Sequence, residues 1–111
     1  MANWSRALPF SPESAALIPE DIGLFVFLSE QLENRMYKVI YVEQTSNLRA
    51  RFLDYVNGEE PYLLEHAVNY RYVVEPKQDV RDAEEKLVLT EGSPILNLIK
   101  NGTVSADILL K

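Results

Sequence analysis

The stretch VIYVEQTSNLRARF, Val39 to Phe52, changes character in its middle. Its first half carries β-branched and aromatic residues and reads as a strand that presents Tyr41. Thr45, Ser46 and Asn47 then offer short side-chain oxygens of the kind that cap a helix. Leu48, Phe52 and Val56 follow at four-residue spacing, the buried stripe of a helix over 48–56. On that helix Arg51 and Tyr55 lie one turn apart and share a face. A strand tyrosine, a sharp capped turn and a helix arginine are therefore packed into fourteen residues.

Working outward, Gly23 to Ser29 is an apolar run of strand length. The polar segment Glu30 to Arg35, with Asn34, reads as a hairpin loop joining it to a second strand, Met36 to Val42. On that strand Val39 and Tyr41 are expected to share one face. Asn57-Gly58 ends the first helix, and Pro61 to Val68 is a second, short one. Asn69 to Glu75 reads as a third strand closed by Pro76. Asp79 is the expected cap of a helix running from Val80 to about Thr90, stopped by Gly92-Ser93-Pro94. The order predicts an α+β fold: a small three-stranded antiparallel sheet flanked by helices.

One domain is expected over residues 1–111, with an irregular arm over 1–22, a core over 23–97 and a tail over 98–111. In the arm, Ser11-Pro12-Glu13 offers a short helical start, and Trp4, Leu8 and Phe10 are candidates to pack on the core. In the tail, 104–110 reads either as a short strand or as a packing segment. Apolar residues make up 47% and charged residues 25%, the balance of a soluble globular protein. The absence of cysteine removes disulfides and thiolate metal sites, and fits a reducing, cytoplasmic setting. The start lacks a basic segment followed by an apolar run, and Leu24 to Leu28 is far too short to cross a bilayer, so no membrane association is expected. The net charge of −6 argues against non-specific nucleic-acid binding. A local basic face built from Arg49, Arg51 and Arg71 stays compatible with it.

The order of these pieces resembles the GIY-YIG endonuclease domain. GLF, residues Gly23, Leu24 and Phe25, stands where the first motif belongs, and YVE, residues Tyr41, Val42 and Glu43, where the second belongs. QTSNLRARF is similar to the family's turn and helix, with Arg51, ten residues after Tyr41, at the arginine position and Tyr55 at the following aromatic position. DAEEKLVLTEGSPILN is similar to the closing motif. Glu85, nine residues before Pro94 and twelve before Asn97, matches its glutamate, with Glu84 as the alternative. The resemblance implies a small stand-alone member acting on DNA through one Mg or Mn ion. It implies Glu85 for the metal, Arg51 for phosphate, Tyr41 and Tyr55 for proton handling, and Asn97 in support. Such roles suit the residue types: a lone carboxylate holds a hard cation that keeps its waters, and a guanidinium fork pairs two phosphate oxygens.

Two motif positions depart from the pattern. Phe25 replaces a tyrosine and can neither take nor give a proton. Glu43 replaces a glycine, which removes backbone freedom and brings a negative charge to the place where phosphate is expected. Glu43 could alternatively serve as an extra metal ligand. The chain therefore reads as a nuclease-like GIY-YIG protein or, alternatively, as a catalytically inactive binding module. In the second case the Tyr and Leu residues between Pro61 and Tyr72 would contact a protein partner or a second copy. Without the motif, Arg51 would pass for a surface residue paired locally with Asp54 or Tyr55, and Glu85 for part of a solvated acidic face.

Overall fold

The computed structural model describes residues 3–30 and 37–102. The elements are β1 (Leu8–Pro9), a 3-10 helix (Pro12–Leu17), β2 (Gly23–Glu30), β3 (Tyr37–Thr45), α1 (Leu48–Val56), α2 (Pro61–His66), β4 (Asn69–Val74), α3 (Gln78–Gly92) and α4 (Ile95–Lys100). The sheet runs β1-β4-β2-β3 with every neighbouring pair antiparallel. It has four strands rather than the expected three. The added strand is only two residues long, pairs Leu8 with Tyr70, and contains Pro9. A proline cannot donate to a ladder, so it is tolerated on such an edge and leaves no strand pattern to read.

Helix starts follow local chemistry. The Asn47 side chain accepts from the Ala50 N–H at 3.0 Å and caps α1. The 3-10 helix follows Ser11 and begins on Pro12, and α2 begins on Pro61. α3 starts earlier than expected: Lys77 is its N-cap, and Asp79 lies in the first turn, where a negative charge suits the helix dipole. Ser93 ends α3 in the left-handed region at φ 43°. The short helix α4 was not evident in the sequence, since six residues behind a proline leave too little periodicity. Glu30, expected to open the hairpin loop, is instead the last residue of β2 and pairs with Tyr37; the rest of that loop, 31–35, and the segment 104–110 lie outside the described residues.

The sheet carries a core on each face. On one side Phe25, Phe27, Tyr41 and Tyr70 pack against Leu48, Phe52 and Tyr55 of α1. On the other, Val26, Leu28 and Val42 pack with Val39, Trp4 and the α3 residues Val88 and Leu89. Val39 and Tyr41 thus face opposite sides, contrary to the simple alternation read from the sequence. The register explains it: Phe27 pairs with Tyr41 but Leu28 pairs with Val39, so Ile40 is an extra, bulged residue. α4 crosses to the open edge of β3, where the Asn97 side chain accepts from Val42 N–H at 2.8 Å and donates to Val42 C=O at 2.9 Å. It meets both unpaired backbone groups of that edge residue.

Candidate active site

β3 and α1 bring Tyr41, Glu43, Arg51 and Tyr55 into one hydrogen-bonded group. Arg51 meets Glu43 side-on, with Nε 2.8 Å from Oε1 and Nη2 3.2 Å from Oε2. The Tyr41 hydroxyl donates to Glu43 Oε2 at 3.0 Å, and the Tyr55 hydroxyl donates to Oε1 at 3.0 Å. Each carboxylate oxygen therefore receives two donors, which uses the full acceptor capacity of the group. Arg51 is committed just as fully. Nη1 reaches Glu59 Oε2 at 2.5 Å and Asp54 Oδ2 at 3.4 Å, Nη2 donates to the Tyr55 hydroxyl at 2.8 Å, and the guanidinium lies 4.5 Å from the Tyr55 ring centroid.

The group's protonation follows from burial. Loss of solvent, reinforced by the Glu43 charge, pushes the Tyr41 hydroxyl up to about 12. Burial also raises Tyr55, with Tyr41 and Glu43 adding to the shift. Arg51 is held charged more firmly than an ordinary arginine, chiefly by its hydrogen bonds to Glu43. At neutral pH both tyrosines are hydrogen-bond donors aimed at a carboxylate. The arrangement is a receptor for a flat oxyanion, built from a guanidinium fork and two hydroxyls, and Glu43 fills it.

Phe25 is fully buried beside this group. Its ring makes edge contacts with Tyr41 at 6.5 Å and with Tyr55 at 6.0 Å, and stacks on Tyr70 at 5.2 Å. It fills space next to both tyrosines and brings no hydroxyl. Glu43 pairs with Phe25 in the regular ladder, and the one non-glycine residue with positive φ among the described residues is Ser93. The glycine usual in that motif is thus not required here by backbone conformation.

Glu85 belongs to a neighbouring group. Its Oε1 accepts from Gln44 Nε2 at 3.0 Å, and the same nitrogen donates to Asp82 Oδ1 at 2.9 Å. Gln44 follows Glu43 along β3, so the two side chains leave the strand on opposite faces. The structure does not hydrogen-bond Glu85 to the Arg51 group; the edge strand lies between them. Glu84, the alternative, accepts from Trp4 Nε1 at 3.0 Å and anchors the N-terminal arm. Asn97 supports β3 at Val42, one residue from both Tyr41 and Glu43.

Among the described residues no three His, Asp or Glu side chains gather into a metal-binding cluster. A hard cation such as Mg or Mn, which keeps most of its waters, needs no such cluster, and the Glu85 carboxylate beside Asp82 fits it.

Sequence reading missed several partners. Glu59 reaches Arg51 because Gly58, at φ 97°, turns the chain back after α1. Lys100 of α4 lies 5.7 Å over the Tyr41 ring and 3.3 Å from Glu60. Neither contact leaves a periodic signal. The three arginines do not share a surface: Arg49 bonds Ile18 C=O at 2.8 Å, while Arg71 bonds Ser5 C=O on the far side, opposite Val26. Of the residues expected to offer a protein contact, Leu64 is about half exposed, Tyr62 lies with its ring centroid 4.4 Å from that of His66, and Tyr70 is fully buried.

No protein-family profile matches the chain. It is 30% identical over 83 residues to the UvrABC system protein C of Dictyoglomus thermophilum, covering 72% of this chain and 13% of that protein. The chain thus spans a small part of the curated relative it matches. Among solved structures it resembles the GIY-YIG N-terminal endonuclease domain of UvrC from Thermotoga maritima bound to its catalytic divalent cation, magnesium. The TM-score is 0.58 at 19% identity, over 75% of this chain and 90% of that domain. A point mutant of the same domain, also bound to the cation, gives 0.58 at 20% identity, over 75% and 89%. No helix among the described residues is long and apolar enough to cross a membrane.

Proposed function

The chain is a GIY-YIG-fold domain, and we propose that it is a nuclease-like protein of the UvrC type whose phosphodiester chemistry is withheld by Glu43 and Phe25. One observation carries this reading: Glu43 holds Nε and Nη2 of Arg51 and both tyrosine hydroxyls at 2.8–3.2 Å. A DNA phosphate seeking the same donors has to displace a carboxylate already satisfied four times. Charge-assisted hydrogen bonds contribute about 1.5–3 kcal/mol each, so the displacement is costly.

The acid–base side is weakened for the same reason. A general base has to accept a proton near the working pH. Tyr41 and Tyr55 are buried, neutral and already donating, and Phe25 has nothing to donate. A Mg or Mn ion at Glu85 would supply charge stabilisation to a phosphate oxygen when bound. In this reading DNA is the ligand class that the Arg51 fork fits once Glu43 withdraws, and the setting is cytoplasmic. A domain of this kind acts by binding, and the exposed Leu64 and Val68 of the 61–72 stretch are the proposed protein contact.

A second reading is an active metal-dependent endonuclease. It is favoured by the convergence of Tyr41, Arg51 and Tyr55 in a single network. Plasmid nicking in Mg²⁺ and in Mn²⁺ separates the two. The first reading expects no cleavage by the unaltered protein. Cleavage that disappears in Arg51→Ala and Glu85→Ala would establish the second.

A further inference from the structure

We infer that Gln44 and Arg81 are positioning residues for the Glu85 carboxylate, orienting it through a neutral amide so that its charge stays available to a divalent cation. This rests on the reading that Glu85 is the cation's ligand.

Arg81 is 6% exposed and offers only donors. It gives Nη1 to Glu75 C=O at 2.8 Å, Nη2 to Gln78 Oε1 at 2.6 Å and Nε to Gln44 Oε1 at 3.0 Å. Those bonds fix which end of each amide faces it. A glutamine amide has nearly the same shape after a half-turn, so its orientation is decided by its partners. With Oε1 turned to Arg81, Gln44 Nε2 is left facing Asp82 and Glu85, which accept at 2.9 and 3.0 Å. The reverse orientation would set N–H against N–H on one side and oxygen against carboxylate on the other. Gln78 repeats the logic, with Oε1 on Arg81 and Nε2 on Asp82 Oδ1 at 2.7 Å.

Two amides therefore stand between a buried guanidinium and two carboxylates. A guanidinium bonded directly to Glu85 would neutralise it and compete with a cation. An amide fixes the rotamer and occupies one oxygen without cancelling the charge. Glu43, the residue before Gln44 on β3, shows the opposite case: it is bonded directly to Arg51, and its charge is spent there. The cation half and the phosphate half of the site are thus set by separate networks on the two faces of β3.

Mn²⁺ titration followed by the electron paramagnetic resonance of the free ion tests this, using the full chain and with folding checked by circular dichroism before metal is added. Hydrogen-bond partners of a metal-ligating carboxylate typically contribute about tenfold or more to affinity. Gln44→Met, which keeps the length of the stem, is expected to weaken Mn²⁺ binding about tenfold. Arg81→Met, which frees the amide to turn, is expected to weaken it as well, and Glu85→Gln to abolish it. Three outcomes overturn the inference: no Mn²⁺ binding by the unaltered protein, binding untouched by Glu85→Gln, or full affinity in a folded Gln44→Met. The nicking assay fails or succeeds independently. An active enzyme that still needs Gln44 for Mn²⁺ would sink the withheld-chemistry reading and keep this one.

Discussion

Glu43 and Arg51 form a side-on pair, Oε1 to Nε at 2.8 Å and Oε2 to Nη2 at 3.2 Å, and two buried tyrosine hydroxyls donate to the same carboxylate. The pair joins β3 to α1 across the mouth of the core. Its side chains are only 27% and 24% exposed, so solvent screens it less than a surface pair.

Removing the carboxylate therefore has a structural cost. Glu43→Ala takes the acceptor from Tyr41 and Tyr55 and leaves Arg51 with Glu59 and Asp54. Unfolding in urea is expected to show a loss of about 2 kcal/mol. A change within about 0.5 kcal/mol, the range of ordinary surface substitutions, would mean that the pair does not hold the fold.

Tyr70 carries a mismatch of the opposite sign. It is fully buried, and its hydroxyl has no hydrogen-bond partner among the described residues. Its ring lies between Phe25, Phe27 and Phe52 at centroid distances of 4.8–5.2 Å. Tyr70→Phe keeps those contacts and removes an unsatisfied polar group, so stability is expected to rise by roughly 1 kcal/mol. A clear loss in denaturant melts would show that the hydroxyl is bonded in solution.

Gly23 opens β2 where the chain passes against β4. A Cβ added there would run into the Val73 carbonyl oxygen, with Leu48 Cδ1 at 3.1 Å as the next neighbour. Backbone cannot yield as a side-chain tip can. Gly23→Ala is expected to destabilise by about 2 kcal/mol or more, through overpacking. An unchanged melting temperature would contradict the close approach.

Alkaline pH probes the buried tyrosines together. In the folded chain Tyr41 is pushed to about 12, and Tyr55 and Tyr70 are raised by burial as well. A raised folded value means that the stabilising difference is complete below the unfolded value, about 10, and is lost as pH climbs toward the folded value. Each such group removes about 1.4 kcal/mol per pH unit over that window. Stability is expected to be level below pH 9 and to fall steeply from about pH 10 to 12. Absorbance at the tyrosinate band should show these three ionising later than about 10 or with unfolding. Titration of all six tyrosines at the ordinary midpoint in the folded chain would contradict the burial.

Much of this architecture is legible in the residues. The stripe Leu48, Phe52, Val56 and the Asn47 cap place α1 where the chain puts it, because local periodicity and capping agree. Gly23-Leu24-Phe25 and Tyr41-Val42-Glu43 lie on neighbouring strands, as their apolar character implies. The pieces that escaped are set by tertiary contact. β1 is set by the pairing of Leu8 and Pro9 with Tyr70 and Asn69 of β4. The bulge at Ile40 has no sequence signature and turns Val39 away from Tyr41. The site shows the same division. Side chains close in sequence, Tyr41, Glu43, Arg51 and Tyr55, are found together. Glu85 is claimed by Gln44, whose amide orientation depends on an arginine in α3 that no motif marks.

The central claim is that Glu43 occupies the position of a phosphate on Arg51. A double-mutant cycle on duplex DNA binding, at fixed salt, measures it most directly, using the unaltered chain, Glu43→Gln, Arg51→Gln and the double variant. Glu43→Gln is expected to tighten binding by roughly tenfold, and the gain to vanish when Arg51 is absent. An equal gain in the Arg51→Gln background would trace the effect to net charge alone, and no gain in either would leave Glu43 without its assigned role; either result contradicts the account.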